Sequence, residues 1–230
     1  MSDFLIDRTP VVDKVYGDLK NRIVSGDVAP GAKLAVRALC EYYGVSDTPV
    51  KQAMNRLVTE KLVEALPHRG MRVRLVTAED IAEAFEVRKM IELYAVPFAL
   101  AAAKNGTLIK SLKENLAENE RLAASIGEGG EFSASAAEEL RVSRAFHKLL
   151  VASVGNKRME ALFDATDDCQ YLYYQQKKDK KAAILASIAE HRAILDSLIA
   201  GDPSGLTATV RTHLEKRASA LLAATRNDGL

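Results

Sequence analysis

Two absences in this 230-residue sequence exclude whole classes of protein. Its longest apolar run, Tyr94–Ala103, is far shorter than the roughly 20 residues that a transmembrane helix needs. It has only two cysteines, Cys40 and Cys169, which cannot form a disulfide framework and do not have the spacing of metal ligands. The first residues also lack the basic segment of a signal peptide. We therefore expect a cytoplasmic protein that does not associate with membranes.

The sequence also lacks an excess of charge of either sign. Its 32 Lys and Arg residues against 31 Asp and Glu residues give a formal net charge of +1, which argues against a polyanionic partner. The charge is nevertheless uneven, because residues 1–76 carry +3 and the remaining 154 residues carry −2. This difference has the sign expected for a DNA-binding head on a nearly neutral body.

Residues 1–76 combine helical patterns with a hairpin pattern. Apolar residues recur at helical spacing in residues 11–24 and 36–43, and Thr48 with Pro49 is typical of the start of a third helix. Residues 63–75 then read as two short strands around a turn with a basic tip. Three helices followed by a hairpin predict a winged helix-turn-helix domain.

Residues 77–230 read almost entirely as helix, because Gly and Pro become rare inside the segments. The apolar periodicity predicts six helices, at residues 78–104, 107–126, 135–154, 157–176, 180–200 and 203–224. Thr77 is placed to cap the first of them. The predicted fold is therefore mainly α, with a winged helix-turn-helix at residues 1–76 and an all-α bundle at residues 77–230.

The third helix offers polar side chains that could read DNA bases. Lys51, Gln52 and Asn55 lie off its buried stripe, and Arg37 on the second helix should lie near the DNA backbone. The hairpin tip suits a neighbouring minor groove, because its glycine allows close approach. Taken alone, the same helical residues would also fit an ordinary solvated face.

The order of these motifs resembles the N-terminal domain of GntR-type bacterial transcriptional regulators. The matching segments are Pro30–Leu34, Tyr43–Ala53, Arg56-Leu57 and His68–Val73. The resemblance implies a regulator, more often a repressor, that binds pseudo-palindromic operator DNA as a homodimer. It places DNA contacts at Arg37, Thr48, Lys51 and Gly70, and makes Asp47 only a suspected contact. The full candidate set adds Ser46, Gln52, Asn55 and Arg69, which neighbour these positions on the third helix and at the hairpin tip.

Two positions depart from the family pattern. Asp47 stands where the family usually has Arg, and Lys51-Gln52 replaces a usual Arg-Glu pair. A carboxylate at this place would repel phosphate, although it could accept a hydrogen bond from a cytosine amino group. We therefore expect an unusual operator sequence.

Three of the four histidines fall in the helical region, at His147, His191 and His213. His191 continues an apolar stripe in which Ile188 and Leu195 are its neighbours. A single buried histidine is more often a core residue than a metal ligand. Three on separate helices of one bundle could instead share an interior site for zinc or nickel, and the spacing alone leaves both interpretations open.

Residues 78–222 resemble the FCD domain, the helical ligand-binding domain of one GntR branch. The matching pieces are Glu86–Arg88 with Glu92, Ala145–His147, Gly155-Asn156, Glu190–Leu195, Gly201-Asp202 and Arg211–Leu214. In that domain the three matching histidines often bind a divalent metal together with an Asp four residues before the first. Ser143 occupies that position here, so the resemblance implies three neutral imidazoles completed by water or by a carboxylate effector. It also implies that Arg88 binds an organic acid, although Arg88 and Glu92 could simply form an intrahelical pair.

Two other functions would use the same residues. A metal-dependent enzyme could be built on three histidines, but the chain has no His-Glu-x-x-His motif and no acid placed as a general base. Glu190 adjoins His191 but should point about 100° away from it on the helix. A constitutive DNA-binding dimer without an effector is the third possibility. We expect a regulator that responds to a small organic acid, and not an enzyme.

Overall fold

A computed structural model describes residues 10–66, 70–126, 134–166 and 180–227 of the chain. It divides into two units, Met1–Leu75 and Val76–Leu230. The first combines helices with a small sheet, whereas the described part of the second is helical, and this confirms the predicted fold class. In the described ranges no helix is long and apolar enough to cross a membrane.

Three helices form most of the first unit: α1 (Val11–Ser25), α2 (Val36–Tyr43) and α3 (Asp47–Thr59). Gly44 ends α2 with a φ of 65°, a left-handed conformation that glycine adopts without steric cost. Buried apolar side chains of α1 and α3 build the core of this unit, among them Leu19, Ile23, Met54 and Leu57.

The start of α3 differs from the sequence-based expectation. The helix begins at Asp47, with Ser46 as its N-cap residue, so Thr48 already lies inside the first turn and does not cap the helix. An acidic residue is favourable there, because the first turn of a helix carries partial positive charge. Asp47 therefore has a structural reason to occupy this position.

The sheet has three strands: β1 (Lys33–Leu34), β2 (Val63–Leu66) and β3 (Gly70–Val73). The predicted hairpin is present as β2 and β3, which pair antiparallel. The sequence did not predict β1, which pairs with the other edge of β3 and makes β3 the central strand.

The second unit contains α4 to α9 in the described ranges. Their bounds are α4 (Ala78–Ala103), α5 (Thr107–Ser125), α6 (Ala134–Ala152), α7 (Lys157–Asp164), α8 (Lys180–Ala200) and α9 (Pro203–Asn227). Five of these helices follow the predicted segments closely. The segment predicted at residues 157–176 is not one continuous helix, because α7 ends at Asp164 and Ala165 and Thr166 form a turn. Residues 167–176 of that prediction lie outside the described residues.

Local signals explain how the second unit begins and what fills it. Thr77 caps α4 as predicted, since its side chain accepts a hydrogen bond from the Asp80 N–H while Asp80 accepts from the Thr77 N–H. Phe146, Phe163 and Ile194 are fully buried between the helices. This apolar interior surrounds a small group of polar side chains.

Candidate functional site

The three histidines of the helical unit meet in its interior. His147 comes from α6, His191 from α8 and His213 from α9, and all three are buried. Their ligand atoms lie within 4.8 Å of one another. The ring centroids of His147 lie 4.8 Å from those of both other histidines. The structure thus brings together the three residues that the sequence placed on separate helices.

Two carboxylates hold the outer nitrogens of this cluster. His147 Nδ1 lies 2.6 Å from Glu92 Oε2, and His213 Nδ1 lies 2.8 Å from Glu190 Oε2. An ionised carboxylate can only accept, so each imidazole donates its Nδ1–H and keeps the lone pair on Nε2. Metal-binding histidines are commonly oriented in this way, with the second ring nitrogen bonded to a carboxylate.

His191 is held differently from the other two histidines. Its ring stacks on Phe146 with centroids 4.5 Å apart, and its Nε2 lies 2.9 Å from Nε2 of His147. Its Nδ1 is buried without a hydrogen-bond partner among the described residues. Two imidazole nitrogens facing each other over so short a distance suit a common ligand that accepts both lone pairs.

Burial keeps His147 and His191 in the protonation state that metal binding requires. It lowers the pKa of His147 to about 4, although Glu92 acts in the opposite direction. Burial also lowers the pKa of His191 well below its ordinary value. Both rings are therefore neutral near pH 7, and neutral imidazole is a donor that zinc and nickel accept. The residues present fit a divalent metal of this kind.

Arg88 lies next to the cluster through its contact with Glu92. Its Nε donates to Glu92 Oε1 at 2.8 Å across one turn of α4, and both side chains are buried. Burial raises the pKa of Glu92, but Arg88 and His147 outweigh it and lower the pKa to about 2. The intrahelical pair considered from the sequence exists, but it is a buried pair and not a surface one.

Ser143 lies one turn before His147 on α6 and is half-buried. With the Asn119 amide oriented to suit its neighbours, the amide oxygen accepts from the Ser143 N–H at 3.3 Å and the amide nitrogen donates to Glu139 Oε1 at 2.8 Å. Burial raises the pKa of Glu139 to about 7, with Arg217 opposing it. Ser143 therefore lies between His147 and the buried carboxyl group of Glu139 along α6, one turn from each.

Two of these acidic residues were missed as functional residues from the sequence. The expectation that no acid lies beside the histidines was wrong, because Glu92 contacts His147 and Glu190 contacts His213 on the neighbouring helix. Glu139, Ser143 and His147 recur every fourth residue and so share one face of α6. That spacing could have predicted from the sequence that Glu139 lies on the same face of the helix as His147.

The predicted DNA-contacting residues of α3 are exposed. They are Asp47, Thr48, Lys51, Gln52 and Asn55, together with Ser46 just before the helix. Arg37 on α2 is also exposed and donates to Glu41 at 3.1 Å. Arg69 and His68 lie outside the described residues, as does Cys169.

An open groove brings part of this set together. Its volume is about 490 Å³, and Lys51, Asn55 and Gly70 line it. Gly70 has a φ of 84°, which favours glycine, and open space surrounds the position of a Cβ there. Lys33 of β1 also lines the groove, and this cationic residue was not predicted as a DNA contact.

Asp47 and Lys51 form an ion pair on the exposed face of α3. Lys51 Nζ lies 3.0 Å from Asp47 Oδ2, and the Cys40 thiol donates to Asp47 Oδ1 at 3.5 Å. The hydrogen bonds from Lys51 and Cys40 lower the pKa of Asp47. The Asp47 carboxylate thus forms an ion pair with Lys51 and competes with DNA phosphate for the same ammonium group.

Comparisons with known proteins agree with both units. Residues 11–73 match the model of bacterial regulatory proteins of the gntR family, and residues 83–216 match the FCD domain. The chain is 30% identical over 203 residues to the uncharacterized HTH-type transcriptional regulator YdhC of Bacillus subtilis, covering 86% of this chain and 85% of that one. It is 24% identical over 204 residues to the HTH-type transcriptional repressor GlaR of Escherichia coli, covering 86% and 90%.

Solved structures show the same fold. A GntR protein from Rhodococcus sp. RHA1 aligns with a TM-score of 0.75 and 24% identity, covering 93% of this chain and 98% of that chain. McbR/YncC of E. coli aligns with a TM-score of 0.69 and 21% identity, covering 93% and 97%. The fold is therefore shared with proteins of little sequence identity.

Proposed function

Because this chain belongs to the GntR family of bacterial transcriptional regulators, in the branch that carries an FCD domain, we propose that it is a ligand-responsive repressor. Its family and relatives are regulators and not enzymes. In this proposal residues 1–76 bind operator DNA as part of a homodimer. Residues 77–230 bind a small carboxylate effector and mediate dimerisation.

The observation that carries the proposal is the buried convergence of His147, His191 and His213, with the outer nitrogens of two rings bonded to Glu92 and Glu190. A core histidine also bonds its ring N–H to an acceptor, but it has no need to turn its other nitrogen toward two further imidazoles, as the ligands of a metal do. These three residues would hold a zinc or nickel ion. When bound, the ion would supply a Lewis-acidic centre for a carboxylate oxygen of the effector.

The protein residues have separate tasks in this proposal. Glu92 and Glu190 fix the orientation and protonation of two imidazoles, and Arg88 keeps Glu92 ionised. Phe146 supports His191 from one side and excludes water there. An effector that alters these contacts would bias the helical unit toward one of two states, and such coupling is typically worth about 1–3 kcal/mol.

Replacing His191 with alanine is expected to weaken zinc binding by roughly 100-fold, because one of three nitrogen donors is lost. Isothermal titration of the metal-free full chain with zinc measures this change. His68→Ala is the matched control, since His68 is the one histidine outside the cluster, and it should bind zinc as the wild type does. Equal zinc binding by the His191 variant would contradict the metal site.

The effector part of the proposal needs its own measurement. Small carboxylic acids are screened by thermal shift on the wild type, with and without zinc. Stabilisation by an acid that also releases DNA supports the sensor. If no acid stabilises the protein and elemental analysis finds no metal in it, the protein is a constitutive DNA-binding dimer and the sensor proposal fails.

Ser143→Asp is expected to tighten zinc binding by about tenfold, because it supplies the anionic oxygen that the family usually has at this position. Ser143→Asn is the control, since it adds a neutral amide of nearly the same size. The two dissociation constants are compared by competition with a zinc chelator. Unchanged affinity in the aspartate variant would mean that residue 143 does not face the metal.

Replacing Lys51 and Arg37 together with alanine is expected to abolish operator footprinting and to lower the salt dependence of DNA binding. Each lost phosphate contact should reduce the slope of log affinity against log salt by about 0.9. Fluorescence anisotropy with a short mixed-sequence duplex measures the slope. Both residues are exposed, so the substitutions should leave the fold intact.

Two further variants test the same surface. Lys113→Ala removes an exposed cation from α5 and should leave the slope unchanged. Asp47→Asn should steepen it, because the pair with Lys51 is then broken and the lysine can meet phosphate. A slope that responds to Lys113 as strongly as to Lys51 would contradict the placement of the DNA surface.

A further inference from the structure

Glu139 of α6 is a buried carboxyl group that the proposed function does not use. It is 2% exposed, and among the described residues it forms no ion pair and accepts a single hydrogen bond, from the Asn119 amide. Buried carboxyl groups normally have more partners than this, because each oxygen offers two lone pairs. Glu139 therefore retains the capacity to accept a further hydrogen bond inside the helical unit.

The position of Glu139 connects it to the histidine cluster. Glu139, Ser143 and His147 share one face of α6, where eight residues of helix span about 12 Å. On α9, Arg217 follows His213 by one turn, and its charge acts on the carboxyl group of Glu139. The rings of His147 and His213 stack with centroids 4.8 Å apart. These five residues therefore form a polar strip that begins at the cluster and ends at Glu139.

The middle of the polar strip leaves space for a small molecule. The backbones of α6 and α9 are not closely packed against each other, in contrast to those of α5 and α6. Ser143, at the centre of the strip, is half-buried, whereas Glu139, His147 and His213 are almost fully buried. Serine is also smaller than the aspartate that the family usually has at this position, and it carries no charge. A ligand can therefore extend from the histidine cluster past Ser143 to Glu139.

The two ends of the polar strip suit different chemical groups. The cluster end is where the proposed function places the carboxylate of the effector. At the other end, Glu139 Oε1 accepts from the Asn119 amide, and an ionised carboxylate can accept hydrogen bonds but cannot donate them. Its second oxygen therefore suits a hydroxyl or an ammonium group, whereas a second carboxylate on the ligand would be repelled.

We propose that Glu139 determines which acids the helical unit binds, by accepting a hydrogen bond from a hydroxyl or ammonium group at the far end of the effector. The effector is then a monocarboxylic acid with a chain of roughly four to six carbons and a terminal hydrogen-bond donor, and not a dicarboxylic acid. The inference rests on the effector site in the proposed function and adds its second end. Asn119 is a positioning residue, because its amide holds Glu139 Oε1 and also bonds the backbone N–H of Ser143.

Acids of equal chain length test this preference: hexanoate, 6-hydroxyhexanoate, 6-aminohexanoate and hexanedioate. They are titrated calorimetrically into the full chain with zinc present at about pH 8, above the pKa of Glu139 of about 7. The hydroxy acid and the amino acid should each bind about tenfold more tightly than hexanoate, because they gain a hydrogen bond to a charged group. Hexanedioate should bind more weakly than hexanoate. Equal affinity for all of these acids overturns the inference.

Substitutions of Glu139 separate the hydrogen bond from the charge. Glu139→Leu should remove the preference for both donor-bearing acids. Glu139→Gln should keep the preference for the hydroxy acid and lose about tenfold in affinity for the amino acid, since an amide can pair with a hydroxyl but does not replace the negative charge. Glu138→Gln is the matched control at the adjacent, more exposed carboxyl group, and it should bind every acid as the wild type does.

Zinc titration of the same variants keeps the inference distinct from the function on which it rests. Glu139 does not contact the histidines, so the Glu139 variants should bind zinc as the wild type does. A preference that survives in Glu139→Leu overturns the inference and leaves the sensor standing, because another group then makes the contact. If neither these acids nor their four-carbon counterparts bind the wild type, the effector site fails and the inference fails with it.

Discussion

Replacing Glu92 with alanine is expected to lower the free energy of unfolding by about 3–5 kcal/mol, one of the largest effects of any single substitution in this chain. Glu92 is 2% exposed and accepts hydrogen bonds from both Arg88 and His147. Alanine leaves the Arg88 guanidinium buried without its partner carboxylate. The cost is mainly that of an uncompensated buried charge and only in small part that of a lost ion pair.

Urea denaturation of the metal-free protein measures this change, and the chain offers a matched control. Lys110 and Glu114 have the same spacing of four residues on α5, but their side chains are 78% and 67% exposed. Glu114→Ala should therefore cost less than about 0.5 kcal/mol. Replacing both Arg88 and Glu92 with leucine should recover most of the loss, since no buried charge remains. A loss below about 1 kcal/mol for Glu92→Ala would contradict the buried pair.

Glu139→Gln is expected to stabilise the protein by up to about 3 kcal/mol above pH 7 and by much less near pH 4.5. Burial raises the pKa of Glu139 from 4.5 to about 7 in the folded state. Between these values the folded protein retains a proton that the unfolded chain releases, so this residue costs stability as the pH rises. Glutamine cannot ionise, and its amide oxygen can still accept from Asn119.

Thermal unfolding at several pH values, with a metal chelator present, measures the difference. Glu138→Gln is the control at the adjacent residue, where the hydrogen bond from Arg141 lowers the pKa of a partly exposed carboxyl group. That variant should not gain stability with rising pH. Destabilisation by Glu139→Gln at every pH would show that the ionised carboxylate is favourable in the folded state.

His147 changes the folding stability with pH in the opposite direction to Glu139. Burial lowers its pKa from 6.5 to about 4, so below pH 6.5 the unfolded chain binds a proton that the folded protein does not. Its contribution to stability therefore falls as the pH falls. In the wild type the slopes from Glu139 and His147 oppose each other between about pH 4.5 and 6.5. In the Glu139→Gln variant the stability should therefore fall more steeply as the pH is lowered from 6.5, because only the effect of His147 remains.

Periodic patterns explain how much of this structure could be predicted. The apolar stripe around His191 placed the ring inside the bundle, and the same reasoning set the bounds of most helices. The strand β1 could not be predicted in this way, because it has two residues and forms only by pairing with a strand about 38 positions later. Likewise, the contact between Glu190 and His213 depends on how α8 and α9 pack, which spacing within one helix does not specify.

The ion pair of Asp47 with Lys51 is a second feature that could not be predicted from the sequence. The sequence marked Asp47 as a departure and its charge as unfavourable for DNA binding. The four-residue spacing to Lys51 was visible, but whether the two side chains pair depends on where α3 begins and on the hydrogen bond from Cys40. Both are set by the folded structure of the first unit and not by the spacing of residues in the sequence.

The central position of β3 determines how the head unit unfolds. The Gly31 N–H donates to the Val73 carbonyl, and the Val73 N–H donates to the Ala32 carbonyl, so the chain before α2 is bonded to the last strand of the hairpin. The wing is therefore not an appendage that can melt separately from the helices. Opening β3 removes the partner of both β1 and β2, and the helix-turn-helix and its wing form one cooperative unit that opens or closes as a whole.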